Sequence, residues 1–136
     1  RETQWLAYLG EAYLRAGRPD DARATAERLL ALGHERGERS AEARGRHLCG
    51  EIAMQCEPLY AEEAEAHIRE ALVLAEDLGM RPLQAHCNRG LGSLYAKIGQ
   101  QEQARTRLSA AIDLYRAMDM TFWLPQAETA LAQVEG

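Results

Sequence analysis

Apolar and small residues recur along this chain at helical intervals, in seven blocks separated by short breaks. In the clearest block they fall on one face of a 3.6-residue period: Ala64, Ile68, Ala71, Leu72, Ala75 and Leu78. Glycines and prolines stand at the breaks, where Gly suits the position after a helix and Pro suits a first turn. The pattern predicts seven helices, at about 3–16, 20–34, 39–55, 60–79, 82–98, 101–118 and 121–134.

The blocks also repeat in pairs. Leu9-Gly10 and Leu91-Gly92 are each followed by a Tyr three residues after the Gly and by a second Gly seven residues after it. A degenerate copy begins at Cys49-Gly50. A helix without a side chain at one position lets a second helix approach closely, so we expect three antiparallel helix pairs. Longer turns are expected around Gly33–Ser40 and Glu57–Tyr60, the second of which contains Pro58.

The run Leu-Gly-x-x-Tyr-x-x-x-Gly-x-x-x-x-Ala resembles the tetratricopeptide repeat. The resemblance implies an all-α, right-handed α-solenoid of three antiparallel helix pairs with a C-terminal capping helix. It also implies a single domain over 1–136, with repeats at about 3–36, 39–79 and 82–118 and the cap at about 121–134. The tail from Arg116 to Pro125 is similar to the end of bacterial regulators that join a nucleotide-cyclase domain, an AAA-type ATPase and repeats. Because the chain starts at Arg1 without a Met, we expect a fragment of such a larger protein.

In that family, the first helix of each pair lines a concave groove that holds a peptide or a partner helix. Carried over by register, the resemblance implies these groove positions: Gln4, Ala7, Glu11, Leu14 and Arg15 in the first repeat; Arg44, His47, Glu51, Met54 and Gln55 in the second; and His86, Arg89, Ser93, Ala96 and Lys97 in the third. The second and third sets are mostly polar and together contain more basic than acidic residues. The expected partner is therefore an acidic protein segment or peptide.

Composition and charge bear on the expected partners and on the cellular compartment. The chain has 136 residues and a net charge of −5, with acidic and basic residues mixed along its length. It lacks the basic stripe that nucleic acid needs and any apolar run long enough for a bilayer, so neither partner is expected. Three cysteines are an odd number without a disulfide framework, which favours a reducing compartment and a cytoplasmic location.

No catalytic, cofactor or metal site is predicted. Four histidines and three cysteines lack both the i, i+4 pairing and the Cys-x-x-Cys hook of a zinc site. Carboxylates such as Glu57 and Glu62 stand at a helix start, where they interact favourably with the helix dipole. The resemblance implies a protein-binding scaffold in bacterial signalling, and the residues add no sign of an enzyme. A sensor of a small ligand or signalling peptide and a structural self-assembly module stay open as alternatives.

Aromatic residues cluster at both ends of the sequence. Phe122 and Trp123 are interpreted mainly as a core wedge that docks the capping helix, with an exposed contact patch as the alternative. Trp5 and Tyr8 lie on the first predicted helix. If an earlier repeat of a longer protein covers them, we expect this fragment to expose an apolar edge and to form a homodimer through its end helices.

Overall fold

The computed structural model describes residues 2–56 and 60–136. Seven α-helices account for 86% of these residues, and the described part of the chain contains no strand. The helices are α1 Glu2–Arg15, α2 Pro19–Arg36, α3 Arg39–Gln55, α4 Ala61–Leu78, α5 Arg81–Lys97, α6 Gln101–Ala117 and α7 Leu124–Glu135. The predicted fold class, all-α with three helix pairs and a final capping helix, is confirmed. Glu57 and Pro58, which the sequence places in the turn before α4, lie outside the described residues.

Contacts divide the chain into two compact units, Arg1–Leu78 and Gly79–Gly136. We call them unit 1 and unit 2. Unit 1 contains α1 to α4, and unit 2 contains α5 to α7. The prediction that residues 1–136 form one domain stays a prediction.

Helices within each unit pair in antiparallel fashion. In unit 1, Arg36 near the end of α2 donates to Glu2 at the start of α1 at 2.8 Å. Arg39 at the start of α3 reaches Asp77 near the end of α4 at 3.3 Å. In unit 2, Arg107 of α6 donates to the Oδ1 atom of Asn88 on α5 at 3.2 Å.

The helix crossings are set by glycines. A Cβ atom at Gly92 would lie 2.6 Å from Cγ of Leu108, and one at Gly50 would collide with the side chain of Ile68. Both glycines therefore do what the sequence predicts, because each admits the second helix of its own pair. Gly10 differs, since the side chain that fills its gap is Leu48 of α3.

Two helix boundaries differ from the predicted ones by two residues or more. Helix α2 continues through buried Gly33, where an added Cβ atom would lie within 3.2 Å of atoms of Glu38, Ala41 and Glu42. It ends at Arg36, and Gly37 follows it with a φ of 66°. Helix α7 begins at Leu124 instead of residue 121, because Thr121 to Trp123 form a turn after Asp119. The N–H of Trp123 donates to the carbonyl of Met120 in this turn.

Helix α7 closes the core of unit 2. Buried Ala127 of α7 joins Ala85, Ala111, Ile112 and Tyr115 in one apolar cluster. Arg116 of α6 also donates to Glu128 of α7 at 2.8 Å. Trp123 packs against this cluster as the predicted wedge, whereas Phe122 is 68% exposed. The core interpretation is therefore correct for Trp123 and wrong for Phe122, which the turn before α7 directs outward.

Candidate functional site

The predicted groove positions on α1 are mostly accessible. Gln4, Glu11 and Arg15 are exposed, Leu14 is half-buried, and Ala7 is buried against the core. The Gln4 amide donates to the hydroxyl of Tyr8 one turn later at 3.2 Å. This helix therefore presents polar groups at three of its five predicted positions.

The positions on α3 are more enclosed. His47 and Met54 are buried, while Arg44 and Glu51 are half-buried. The Nε2 atom of His47 lies 3.2 Å from Oε1 of Glu51 one turn away. Of the predicted α3 residues, Gln55 is exposed, and Arg44 and Glu51 are partly accessible to a partner.

On α5, His86 and Arg89 are held by residues that the sequence does not connect to them. Nδ1 of His86 lies 2.8 Å from the hydroxyl of Tyr115, and Nε of Arg89 donates to the same oxygen at 3.2 Å. Tyr115 is fully buried on α6. A Tyr hydroxyl can both donate and accept hydrogen bonds, so this one oxygen can contact both α5 side chains at once.

Trp123 completes this cluster from the turn before α7. Its ring meets the His86 ring edge-on at 4.7 Å, and the guanidinium of Arg89 lies 5.2 Å from its centroid. Phe122 packs edge-on against Trp123 at 5.1 Å. An Arg over a Trp face is attracted by the negative face of the ring. The orientation of Arg89 is therefore fixed by two groups on two other elements.

A cleft of about 370 Å³ lies further along α5 in unit 2. Three predicted groove positions, Ser93, Ala96 and Lys97, form one side of it. The remaining lining residues come from α6 and α7: Gln101, Leu108, Ala130, Gln133 and Val134. The cleft thus combines an apolar surface with a polar rim, and Lys97 is the charged residue of its lining. Ligand pockets commonly have this composition.

A second, larger cleft in unit 1 lies outside the predicted groove. Its volume is about 640 Å³, and α2, α3, α4 and Tyr60 line it: Arg23, Glu27, Leu30, Cys49, Ile52, Ala53, Cys56, Tyr60, Glu63 and His67. At 100° per residue, Cys49, Ile52 and Cys56 point to the side of α3 opposite His47 and Glu51. The i, i+3, i+7 spacing of these three residues is the sequence signal for this face.

Burial raises the pKa of the Cys49 thiol above its ordinary value of 9.0. Arg46 and Arg23 oppose this shift and Glu27 adds to it. All three cysteines are free thiols. Within residues 2–56 and 60–136, no three His, Cys, Asp or Glu side chains are grouped so that they could hold a metal ion.

Comparison with known proteins finds a family-model match over part of the chain. Residues 7–32 match the tetratricopeptide repeat model. These residues cover most of α1 and α2, which form the first predicted repeat. No curated protein shows significant similarity to the chain. As for membranes, none of the helices that the structure describes has the length and apolar character that a bilayer crossing requires.

Proposed function

We propose that this chain is a protein-interaction module that binds an acidic peptide or partner helix along α5. The cleft formed by Ser93 and Lys97 is the observation that carries the proposal, because it joins an apolar surface to a cation at predicted groove positions. The tetratricopeptide match at residues 7–32 supports the same class of function, since such repeats generally bind proteins or peptides.

Two cations give this surface its preference for acidic partners. Arg89 and Lys97 are eight residues apart on α5, which puts them about 12 Å apart along the helix and on neighbouring faces. Tyr115 and Trp123 hold the Arg89 side chain in place. A side chain that is already ordered loses less conformational entropy on binding, so its contacts contribute more to affinity.

The apolar part of the cleft predicts a second feature of the partner, an apolar side chain. Leu108, Ala130 and Val134 line it opposite α5. An aliphatic side chain placed between two acidic residues would bury its surface there while the carboxylates face Arg89 and Lys97. We therefore expect a short acidic segment with one apolar anchor.

In unit 1, Arg44 and Glu51 of α3 and Gln4, Glu11 and Arg15 of α1 form the corresponding predicted surface. We propose that these residues contact a partner bound to unit 1. We also propose a regulatory role within a larger bacterial signalling protein in the cytoplasm, which the similarity of the Arg116–Pro125 tail to such regulators supports.

Site-directed photo-crosslinking tests the proposal. A photoreactive residue in place of Ser93 should crosslink a bacterial protein, and the same residue in place of Thr106, exposed on α6, should not. Crosslinking should weaken at high salt, because exposed charge pairs are screened. Equal products from both positions would show that capture is nonspecific.

A charge reversal adds a matched control. Lys97→Glu should abolish the Ser93 crosslink, whereas Arg81→Glu changes the charge equally at the other end of α5 and should preserve it. Loss of the crosslink in both variants would show that binding depends on the overall charge of the protein and not on the cleft. Retention in both would exclude Lys97 from the site.

A further inference from the structure

The larger cleft, in unit 1, is a cavity that the proposed peptide site does not use. Its volume of about 640 Å³ lies within the roughly 300–1,000 Å³ of small-molecule sites. Helix α3 packs against both α2 and α4 and forms the floor, with Ile52 and Ala53 buried and Cys49 and Cys56 half-buried. Residues of α2 and α4 form the two walls. The cleft therefore offers a ligand an apolar floor between polar walls.

The length of the cleft matches a single small molecule. Its lining on α2 runs from Arg23 to Leu30, seven residues that rise about 10 Å. On the antiparallel α3 it runs from Cys49 to Cys56, again seven residues. Arg23 lies at one end, where its Nη2 atom is 4.0 Å from Sγ of Cys56. This length suits a compact ligand better than an extended peptide.

Two carboxylates on opposite walls carry the unmatched charge of the cleft. Glu27 lies on α2 and Glu63 on α4, and both are exposed. Within residues 2–56 and 60–136, neither carboxylate takes part in an ion pair. Arg23, which also lines the cleft, already lies 3.7 Å from Asp20. Since the described lining has two glutamates and one arginine, it carries an excess of negative charge and favours a cation.

The groups next to the carboxylates leave this preference in place. Arg46 lies beside the cleft, 3.4 Å from Nδ1 of His67, but its Nε atom is paired with Glu70 at 3.1 Å. Its charge is therefore offset outside the cleft. Tyr60, which is 47% exposed, lines the same cleft. An aromatic ring of this kind attracts a cation over its face.

We propose that the cleft of unit 1 binds a small organic amine, with its ammonium group held by Glu27 and Glu63 and its apolar body on Ile52 and Ala53. This site prefers the charge opposite to that expected of the α5 partner, and it goes beyond the function proposed there. Exposed ion pairs contribute little individually, so the affinity is modest. For a ligand of about ten non-hydrogen atoms, we expect a Kd on the order of 1 mM.

Titration of the full chain with phenethylamine, followed by proton–nitrogen correlation NMR, tests the proposal. The backbone amides of Cys49, Ile52 and Ala53 should shift and saturate, because they lie under the ligand. Phenethyl alcohol has the same body without the charge, and ethylamine has the charge without the ring. Each should bind at least about threefold more weakly, as should a capped tripeptide with a central lysine. Equal affinity of either small analogue and phenethylamine would overturn the proposal, and tighter binding of the tripeptide would overturn the assignment of a small ligand.

A matched pair of double variants tests the two carboxylates. Glu27→Gln, Glu63→Gln should raise the Kd for phenethylamine by about five- to tenfold. Glu35→Gln, Glu62→Gln removes two charges from exposed positions of the same two helices outside the cleft lining, and should leave the Kd near that of wild type. Circular dichroism of each variant verifies that the helices are retained. Amide shifts that are scattered or do not saturate would overturn the proposal, as would equal Kd values for the two double variants.

Discussion

At the level of single residues, the approach of α5 and α6 in unit 2 depends on the absence of one side chain. Gly92 on α5 faces Leu108 on α6, and its hypothetical Cβ would also lie 3.2 Å from the backbone N of Leu108. Rotation of the leucine side chain can relieve the first contact but not the second. A larger residue at this position must therefore separate the two helices.

We expect Gly92→Leu to lower the free energy of unfolding by about 1–3 kcal/mol, the usual cost of overpacking a core. Urea unfolding followed by circular dichroism measures this change. Ala96→Leu makes a similar change at an exposed position one turn later on α5 and should have little effect. Equal stability of Gly92→Leu and wild type would contradict the described crossing.

Cys49 should react slowly with alkylating agents in the folded protein. Its pKa is raised by burial, and the thiolate is the reactive form. Mass spectrometry after iodoacetamide treatment at about pH 8 should show slower labelling in buffer than in urea. The same shift means that the stability due to the protonated thiol is lost as pH rises above 9.0. Equal labelling rates in both solvents would argue against a buried thiol.

At the level of elements, four connections turn through a glycine with positive φ: Gly17, Gly37, Gly79 and Gly99. The connection between α6 and α7 uses Asp119 instead, with a φ of 54°. The left-handed region costs a residue with a Cβ roughly 1–2 kcal/mol, although Asp tolerates it better than most. The turn that presents Phe122 and Trp123 is thus built on a mildly strained residue.

Asp119→Gly should raise the unfolding free energy by several tenths of a kcal/mol, because relief of strain is partly offset by the greater freedom of Gly in the unfolded chain. Gly99→Ala should lower it by about 1 kcal/mol, since Ala has no polar side chain to compensate. Thermal unfolding compares the two variants with wild type. If Asp119→Gly lowered the free energy of unfolding and Gly99→Ala raised it, these φ angles would not limit stability.

The Tyr115 hydroxyl of α6 holds the two α5 side chains against which Trp123 packs. Tyr115→Phe removes the oxygen that contacts both His86 and Arg89, so we expect a loss of about 1–3 kcal/mol, typical of a buried polar group that loses its partner. Trp123 fluorescence, measured in a Trp5→Phe background, should shift toward the emission of exposed Trp. Tyr8→Phe removes an exposed hydroxyl and serves as the control. An unchanged spectrum and stability would show that the hydroxyl does not secure Trp123.

At the scale of the whole molecule, the sequence predicts the elements well because their signals are local. Small residues at helical spacing and glycines past helix ends identify all seven helices, and only the α2 end and the α7 start differ by two residues or more. The fixing of Arg89 by Tyr115 and Trp123 was not predictable in this way. These contacts join residues 26 and more positions apart, and no local pattern encodes them.

The two compact units lead to a fragment test. Unit 1 contains its own core, in which Leu29 packs with Ala7 and Ala41, and Ala22 packs with Leu48. We therefore expect a fragment of residues 1–78 to be helical and to melt cooperatively, with less stability than the full chain because small domains bury less of their surface. Circular dichroism and thermal unfolding measure both properties. A fragment without helical signal would show that the core of unit 1 needs residues after Leu78.

The pairing of helices within each unit also determines how quickly the chain can fold. Each helix packs mainly against the helix before or after it in sequence, and the other packing pairs, α1 with α3 and α5 with α7, skip a single helix. Most contacts therefore close short loops, which costs little entropy before the contacts form. Proteins with such local contacts fold in about microseconds to milliseconds. Each helix pair can thus form soon after its residues leave the ribosome, before the rest of the chain has been synthesised.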